Sequence, residues 1–526
     1  MKRLSNLDAS FLFIESRVSP MHGGPIFVLN GELSFERLFR HMEERLHFAP
    51  RFRQRLVFTP FNLAHPAFAD DPDFKLENHV QRRELPKGIS EADALKEVVR
   101  FHFGRVMDRS RPLWDVILFE GLPGRSLCVW STHHALVDGV SLFDLFNKTL
   151  DFTPHPAPIE RPAEGWHPSA SPNQADLFLT ALRDSTVQQL DSSIRTVQDW
   201  VLDPRRGIEQ LRTLTKAMQV ISETVQAPIA ATPWNAGVCS AAPQVAWLKL
   251  PFGDFRTIRA RFQGTINDIV LTTLGEAAAR YLKHHGWPTQ GNLRIGCPVN
   301  VRRPEEQVVL ENRVSIMMPM TPARPMEVTE RLKLIAAETK RIKESNAPYL
   351  MERMMSLNDA VPPALLAATS QAGTVAQEAM AMLLNAINWR PRPAGPALQA
   401  NGINFMASNV PGPQTTWYLA GHEVTDFLPM IMLAGQLGYG VGITSYNDHM
   451  YIGMTADSRM MPDVDRMKSF AQDAFDELRS AAQIASGDIV RTTDSRAGEH
   501  VPRLRRKPAS AAHSGAALRE DSSTRV

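Results

Sequence analysis

Two apolar, β-leaning runs, residues 114–119 and 127–131, flank the turn Gly121-Leu122-Pro123-Gly124 and predict a hairpin. The second run feeds His133-His134-Ala135-Leu136-Val137-Asp138-Gly139, and an apolar helical pattern continues over 140–150. A strand that ends by handing a histidine to a turn is a common way to set a general base at the bottom of a cleft. A shuffled chain of this composition would contain HHxxxDG on the order of one time in a thousand, so the pattern carries information, and its context decides what it means. The context predicts a mixed α/β fold.

Length and composition narrow the function classes. A chain of 526 residues is expected to form two or three domains with a large core. Hydrophobic residues at 43% and charged residues at 22% suit a globular protein, and a net charge of +2 makes no case for nucleic acid as a partner. Cys128, Cys239 and Cys297 are far apart and lack metal-ligand spacing, which disfavours a disulfide framework or structural zinc and favours a reducing compartment. The opening twenty residues carry Asp8 and Glu15 in a broken apolar run and do not read as a secretory signal. No apolar stretch reaches the roughly 18–20 residues that span a bilayer, so any membrane contact is expected to be peripheral.

Residues 1–150 read as a mixed α/β domain. A strand is expected over 25–29, then a helix with Ser34 as N-cap and Leu38, Met42 and Leu46 on one face. Residues 151–240 read as a Pro- and Ser-rich linker and a pair of crossover helices, over 176–201 and 208–221. Residues 241–486 form the second domain. Strands are expected there over 245–250, 293–299, 313–320, 403–408, 439–446 and 450–456, with helices over 266–285, ended by Gly286, and over 462–482. Residues 487–526 turn small and polar, read as a disordered tail, and carry a basic cluster at Arg503, Arg505, Arg506 and Lys507.

Further motifs lie in order along the chain. Leu4-Ser5-x-x-Asp8, Pro20-Met21-His22 and Arg51-Phe52-Arg53-Gln54-Arg55 come first. Pro112-Leu113-Trp114 precedes the histidine pair, Asn267-Asp268 opens a helix, and Ser408-Asn409-Val410-Pro411-Gly412-Pro413 ends a strand. Together these resemble the bacterial wax ester synthase/acyl-CoA:diacylglycerol acyltransferase family over residues 1–485. HHxxxDG alone is shared with a wider superfamily of CoA-dependent acyltransferases and peptide-synthetase condensation domains; the companion motifs narrow the match. The resemblance implies two chloramphenicol-acetyltransferase-like domains, mixed sheets flanked by helices, with a tunnel between them that meets the histidine. Acyl-CoA would enter from one side, as a substrate and not a cofactor, and a fatty alcohol or diacylglycerol from another. The chain departs from the family pattern at Pro298-Val299-Asn300-Val301-Arg302, at Glu311-Asn312 and at Ser240-Ala241-Ala242-Pro243.

Ester formation from a thioester needs a base for the alcohol proton and a place for negative charge on the tetrahedral oxygen. A free imidazole, with pKa near ~6.5, is largely neutral at cytoplasmic pH and can accept that proton. His134 matches the family base, with no covalent intermediate, because no serine or cysteine beside it forms a nucleophile motif. His133 reads as a packed neighbour. Asp138 reads as a structural support of the loop and Gly139 as a point of close backbone approach. Adjacent histidines on an extended chain point apart, so no metal site is expected. Asn267-Asp268 reads either as a helix cap or as a charge-stabilising group at a helix N-terminus. Ser408 to Pro413, including Asn409, Pro411 and Gly412, reads as a rigid turn or part of the tunnel lining, and Pro112-Leu113-Trp114 as support for the sheet.

The leading expectation is a long-chain O-acyltransferase making wax ester, triacylglycerol or both, cytoplasmic and peripherally attached to the inner membrane or lipid inclusions. The alternatives are a transferase using a carrier-protein thioester or polyketide-type acceptor, and a catalytically silent protein that binds lipid or coats droplets.

Overall fold

The computed structural model describes residues 3–170 apart from 61–63, 138 and 161, scattered residues within 173–224, residues 227–300 apart from 241, and residues 314–350 and 402–494. In the first half, Ser5 caps helix α1 (Asn6–Ile14) by accepting the Asp8 N–H, and β1 (His22–Asn30) follows. Helix α2 (Phe35–Arg45) buries Leu38 and Met42, with Leu46 just beyond, on the face that the spacing predicts. Strands β2 (Gln54–Val57) and β3 (Ala67–Asp70) make a small hairpin. Then come β4 (Val80–Glu84), α3 (Glu91–Phe103), and the expected hairpin of β5 (Trp114–Leu122) and β6 (Arg125–His133). Gly121 and Gly124, at φ 106° and 69°, supply the left-handed backbone at its turn. Helix α4 (Gly139–Thr149) leaves the histidine loop.

The second half holds β7 (Pro243–Pro251), α5 (Phe252–Phe262), α6 (Ile266–His284), β8 (Asn292–Asn300), β9 (Val314–Met317), β10 (Met320–Pro322), α7 (Val328–Glu344), β11 (Phe405–Pro411), β12 (Tyr418–Leu419), β13 (His422–Met430), β14 (Tyr439–Tyr446), β15 (His449–Asp457) and α8 (Val464–Asp494). Among the described residues there are two large sheets. The first runs β12-β13-β1-β6-β5-β4 and the second β10-β8-β11-β14-β15-β7, with β9 on β8. Parallel pairs β4·β5, β11·β14 and β8·β11 stand beside antiparallel ones, so both sheets are mixed.

The boundary between sheets is not the boundary between chain halves. Strand β13, from late in the chain, pairs antiparallel with β1, and Trp417, Phe427 and Tyr446 lie in the same apolar core as Phe27, Trp130 and Phe146. Tyr446 ties the seam by donating to the Val424 carbonyl (2.8 Å) and accepting from the Trp417 N–H (2.9 Å).

Three expectations need correction. The run 313–320 is two strands because Pro319 offers no N–H to a ladder. Residues Ser408 to Pro411 are strand and not turn: Val410, held extended ahead of Pro411, suits β11, which pairs with β14 through Pro411↔Ser445. The last helix does not stop near 482 but passes Gly487 and ends at Asp494, since one glycine costs a helix only about 1 kcal/mol and no proline intervenes. Residues 495–526, including Arg503 to Lys507, and most of the expected crossover pair lie outside the described residues.

Candidate active site

The histidine pair sits where β6 ends against β1, with His133 opposite His22. Three backbone hydrogen bonds set the turn. The His133 N–H donates to the Leu113 carbonyl (3.0 Å), the His134 N–H to the Met21 carbonyl (3.0 Å), and the Leu136 N–H to the His133 carbonyl (2.8 Å). The Pro112-Leu113-Trp114 motif therefore acts on the site through its backbone. Its indole packs behind, stacked on Phe52 (4.2 Å between centroids) and donating to the Phe52 carbonyl (2.8 Å). Arg51 of the same segment reaches the Leu136 carbonyl at 3.4 Å.

The two imidazoles have different environments. His133 is fully buried, its Nδ1 accepts the Ala135 N–H (3.0 Å), and its Nε2 faces Glu15 Oε1 at 3.3 Å. With Nδ1 accepting, the neutral ring carries its proton on Nε2, on the side of the Glu15 carboxylate. His134 is only half-buried; its ring lies 5.1 Å from that of Phe11, and a Cβ placed on Gly23 would sit 3.7 Å from its Nε2. Asp138 lies outside the described residues. Gly139 opens α4.

Glu15 was not foreseen, and it organises the site. Its carboxylate is 1% exposed and accepts from the Met21 N–H (3.0 Å) and from Arg109 (2.9 Å), besides facing His133. Burial raises its pKa, but His133, the Met21 amide and Arg109 outweigh burial and bring it down to about 2. One carboxylate thus faces the His133 ring and holds the amide of Met21, the residue whose carbonyl receives the His134 N–H. The available signal was a lone acid after Phe11-Leu12-Phe13-Ile14. Behind it, His22 Nε2 donates to the His102 carbonyl (2.7 Å), and burial lowers the His22 pKa to about 4, keeping it neutral.

The expected second-half residues separate into two groups. Thr265 is the N-cap of α6, and Asp268 completes a capping box: its N–H donates to Thr265 Oγ1 (3.1 Å) and its Oδ2 accepts the Thr265 N–H (2.8 Å). Asp268 Oδ1 also accepts from Thr339 (2.7 Å), so this buried carboxylate is spent on structure. Asn267 instead lines a cavity of about 520 Å³ together with Asn409, Pro411, Cys297, Lys343 and Tyr349. The Asn409 amide donates to Asn267 Oδ1 (3.3 Å) there. Ser408 pairs with Gly442 on β14, where an added Cβ would meet Pro429 of β13 at 3.3 Å. Burial pushes the Cys297 thiol up to about 12, which leaves it a poor nucleophile. The cavity lining does not include His134. Its Pro411 end adjoins Gly412, where an added Cβ would meet Ser445 O at 2.3 Å and Phe143 of α4 at 2.8 Å. Glycine there permits the second sheet to touch the helix that carries the histidine loop.

Residues 4–270 match the model of the wax ester synthase/diacylglycerol acyltransferase catalytic domain, and 310–479 match the family's C-terminal domain. The chain belongs to this acyltransferase family. It is 27% identical over 496 residues to the probable diacylglycerol O-acyltransferase tgs1 of Mycobacterium tuberculosis, covering 91% of this chain and 96% of that protein. Its fold is that of the wax ester synthase/diacylglycerol acyltransferase from Marinobacter aquaeolei VT8 (TM-score 0.59, 22% identity, 92% of this chain and 100% of that one). The first condensation domain of the calcium-dependent antibiotic synthetase is similar too (TM-score 0.56, 12% identity, 91% and 96%). The family fold is thus the two-domain, chloramphenicol-acetyltransferase-like one, with mixed sheets flanked by helices.

Proposed function

We propose that the chain transfers a long-chain acyl group from acyl-CoA to the hydroxyl of a fatty alcohol, giving wax ester, or of diacylglycerol, giving triacylglycerol. His134 is the general base and no acyl-enzyme forms. The observation that carries this reading is the contrast in exposure within the pair: His133 is fully buried against Glu15, while His134 is half-buried at a strand end beside a residue without a side chain. The alcohol oxygen attacks the thioester carbon as its proton passes to His134. The C–S bond then breaks, and the imidazolium returns the proton to the departing thiolate, leaving free CoA and neutral imidazole. Family membership and the named relative support acyl-CoA and diacylglycerol as substrates. Asn267 and Asn409 supply amide groups suited to the amide-rich arm of CoA.

No helix among the described residues is long and apolar enough to cross a membrane. The enzyme collects its substrates at the surface of the inner membrane or of a lipid inclusion. The test is a panel of acceptors, hexadecanol and dioleoylglycerol among them, with one acyl-CoA, read by CoA release and product chromatography. Ester formation with stoichiometric CoA release is expected. Transfer only from a carrier-protein thioester, or no thioester cleavage, would overturn the reading.

A further inference from the structure

Ten large apolar side chains are exposed among the described residues, and three of them, Phe13 (53%), Ile14 (53%) and Val18 (41%), fall within six consecutive positions; the other seven are scattered along the chain. Their segment is built to project. Helix α1 ends at Ile14, and the chain then makes a tight turn closed by two hydrogen bonds, Ser16 N–H to Ser19 O (3.2 Å) and Ser19 N–H to Ser16 O (3.1 Å), with Arg17 and Val18 at its tip. The base of the turn is pinned by Glu15, whose side chain turns inward to His133, Met21 and Arg109. The outward face of 13–18 therefore carries three apolar side chains and one cation, the exposed Arg17, which pairs with no acid among the described residues. Two residues before Phe13, the ring of Phe11 lies against that of His134.

We propose that the segment 13–18 is the surface by which this chain settles on an anionic phospholipid bilayer. Phe13, Ile14 and Val18 enter the headgroup boundary and Arg17 meets lipid phosphate. One apolar patch with one cation gives reversible attachment, because stable anchoring takes stronger signals. A protein contact would suit the apolar residues equally, but the charge decides for lipid: the segment's one acid is withdrawn to the interior and its one base is presented. Attachment here sets lipid at the end of α1, the helix whose Phe11 ring lies against that of His134. The identity of what is delivered rests on the acyltransferase reading; the attachment does not.

The test is flotation of the full chain with vesicles of phosphatidylcholine containing one-third phosphatidylglycerol. The double variant Phe13→Gln/Ile14→Gln should lose on the order of tenfold or more in partitioning, and Arg17→Glu several-fold, with unchanged melting temperatures. Replacing Arg503, Arg505, Arg506 and Lys507 by Gln should change little. The double variant should also slow transfer to an acceptor held in vesicles while leaving transfer to a water-soluble short-chain alcohol unchanged. Undiminished flotation of the double variant, no flotation of the parent, or flotation lost only with the four basic residues would overturn the proposal. So would a change in oligomeric state without a change in flotation. If the parent acylates no acceptor, the acyltransferase reading fails while flotation still judges the attachment.

Discussion

Glu15 illustrates how much of a site can depend on a residue that does no chemistry. Its carboxylate has three partners drawn from positions 21, 109 and 133, and removing its charge leaves buried donors short of an acceptor. Glu15→Gln should lower stability by about 1–3 kcal/mol in urea unfolding. It should also reduce kcat on the order of tenfold to a hundredfold, because a base displaced by about 1 Å loses that much. A folded Glu15→Gln protein with parental kcat would remove Glu15 from the site. The two glycines of β1 make a sharper contrast. Gly24, at φ 152°, would place a Cβ 1.8 Å from the Trp130 carbonyl oxygen, so Gly24→Ala should lose soluble yield and melting temperature. Gly23→Ala meets nothing closer than 3.6 Å and should fold normally, which circular dichroism melts of the two variants would compare directly.

At the scale of elements, the second half is locked by a buried ion pair between α6 and α7. Arg331, fully buried, bonds Glu276 (2.8 Å), Thr321 (2.6 Å) and the carbonyls of Pro322 and Arg324 (2.8 and 2.6 Å). Arg331→Met leaves Glu276 with Arg280 (2.9 Å) and the Met326 N–H (3.2 Å) but takes the donor from Thr321 and two carbonyls, and should cost roughly 1–3 kcal/mol, read as a lower urea midpoint; no loss at all would show the pair to be dispensable. Neither this pair nor α7 was legible in the sequence, because α7 is rich in Lys, Glu and Arg and its few apolar positions make a faint stripe. Strands such as β5, β6, β14 and β15 were legible, as apolar runs bounded by turn residues. The placement of β13 in the first sheet was not, since nothing in a strand's own residues names its neighbour. The strand character of Ser408 to Pro411 was not legible, because Pro411 and Gly412 signal a turn locally while the pairing of β11 with β14 is set by a distant strand. The histidine loop could be read from its motif, but the role of Met21 depends on a backbone carbonyl that no residue type signals.

At the scale of the whole molecule, several buried histidines make stability sensitive to mild acid. Burial lowers the pKa of His22 and His65 to about 4 and of His41 to about 3, from an ordinary 6.5. Below pH 6.5 the unfolded chain takes up protons that the folded chain refuses, so stability is complete above about pH 7 and falls as pH drops from 6.5 toward 4. By pH 5.5 each such histidine costs roughly 1 kcal/mol. Glu15 adds a separate loss, since its lowered pKa contributes stability above about 4.5 that disappears as pH falls through about 2. Melting temperatures measured between pH 8 and pH 4 should be level at first and then decline; a level profile down to pH 4 would contradict the neutral burial of these rings. The central claim, that His134 is the base, is tested most directly by the turnover of His134→Ala with one acyl-CoA and one alcohol, in protein whose melting temperature matches the parent. CoA release should fall about 10²–10⁴-fold, while His133→Ala falls less. Near-parental turnover in folded His134→Ala protein would contradict it.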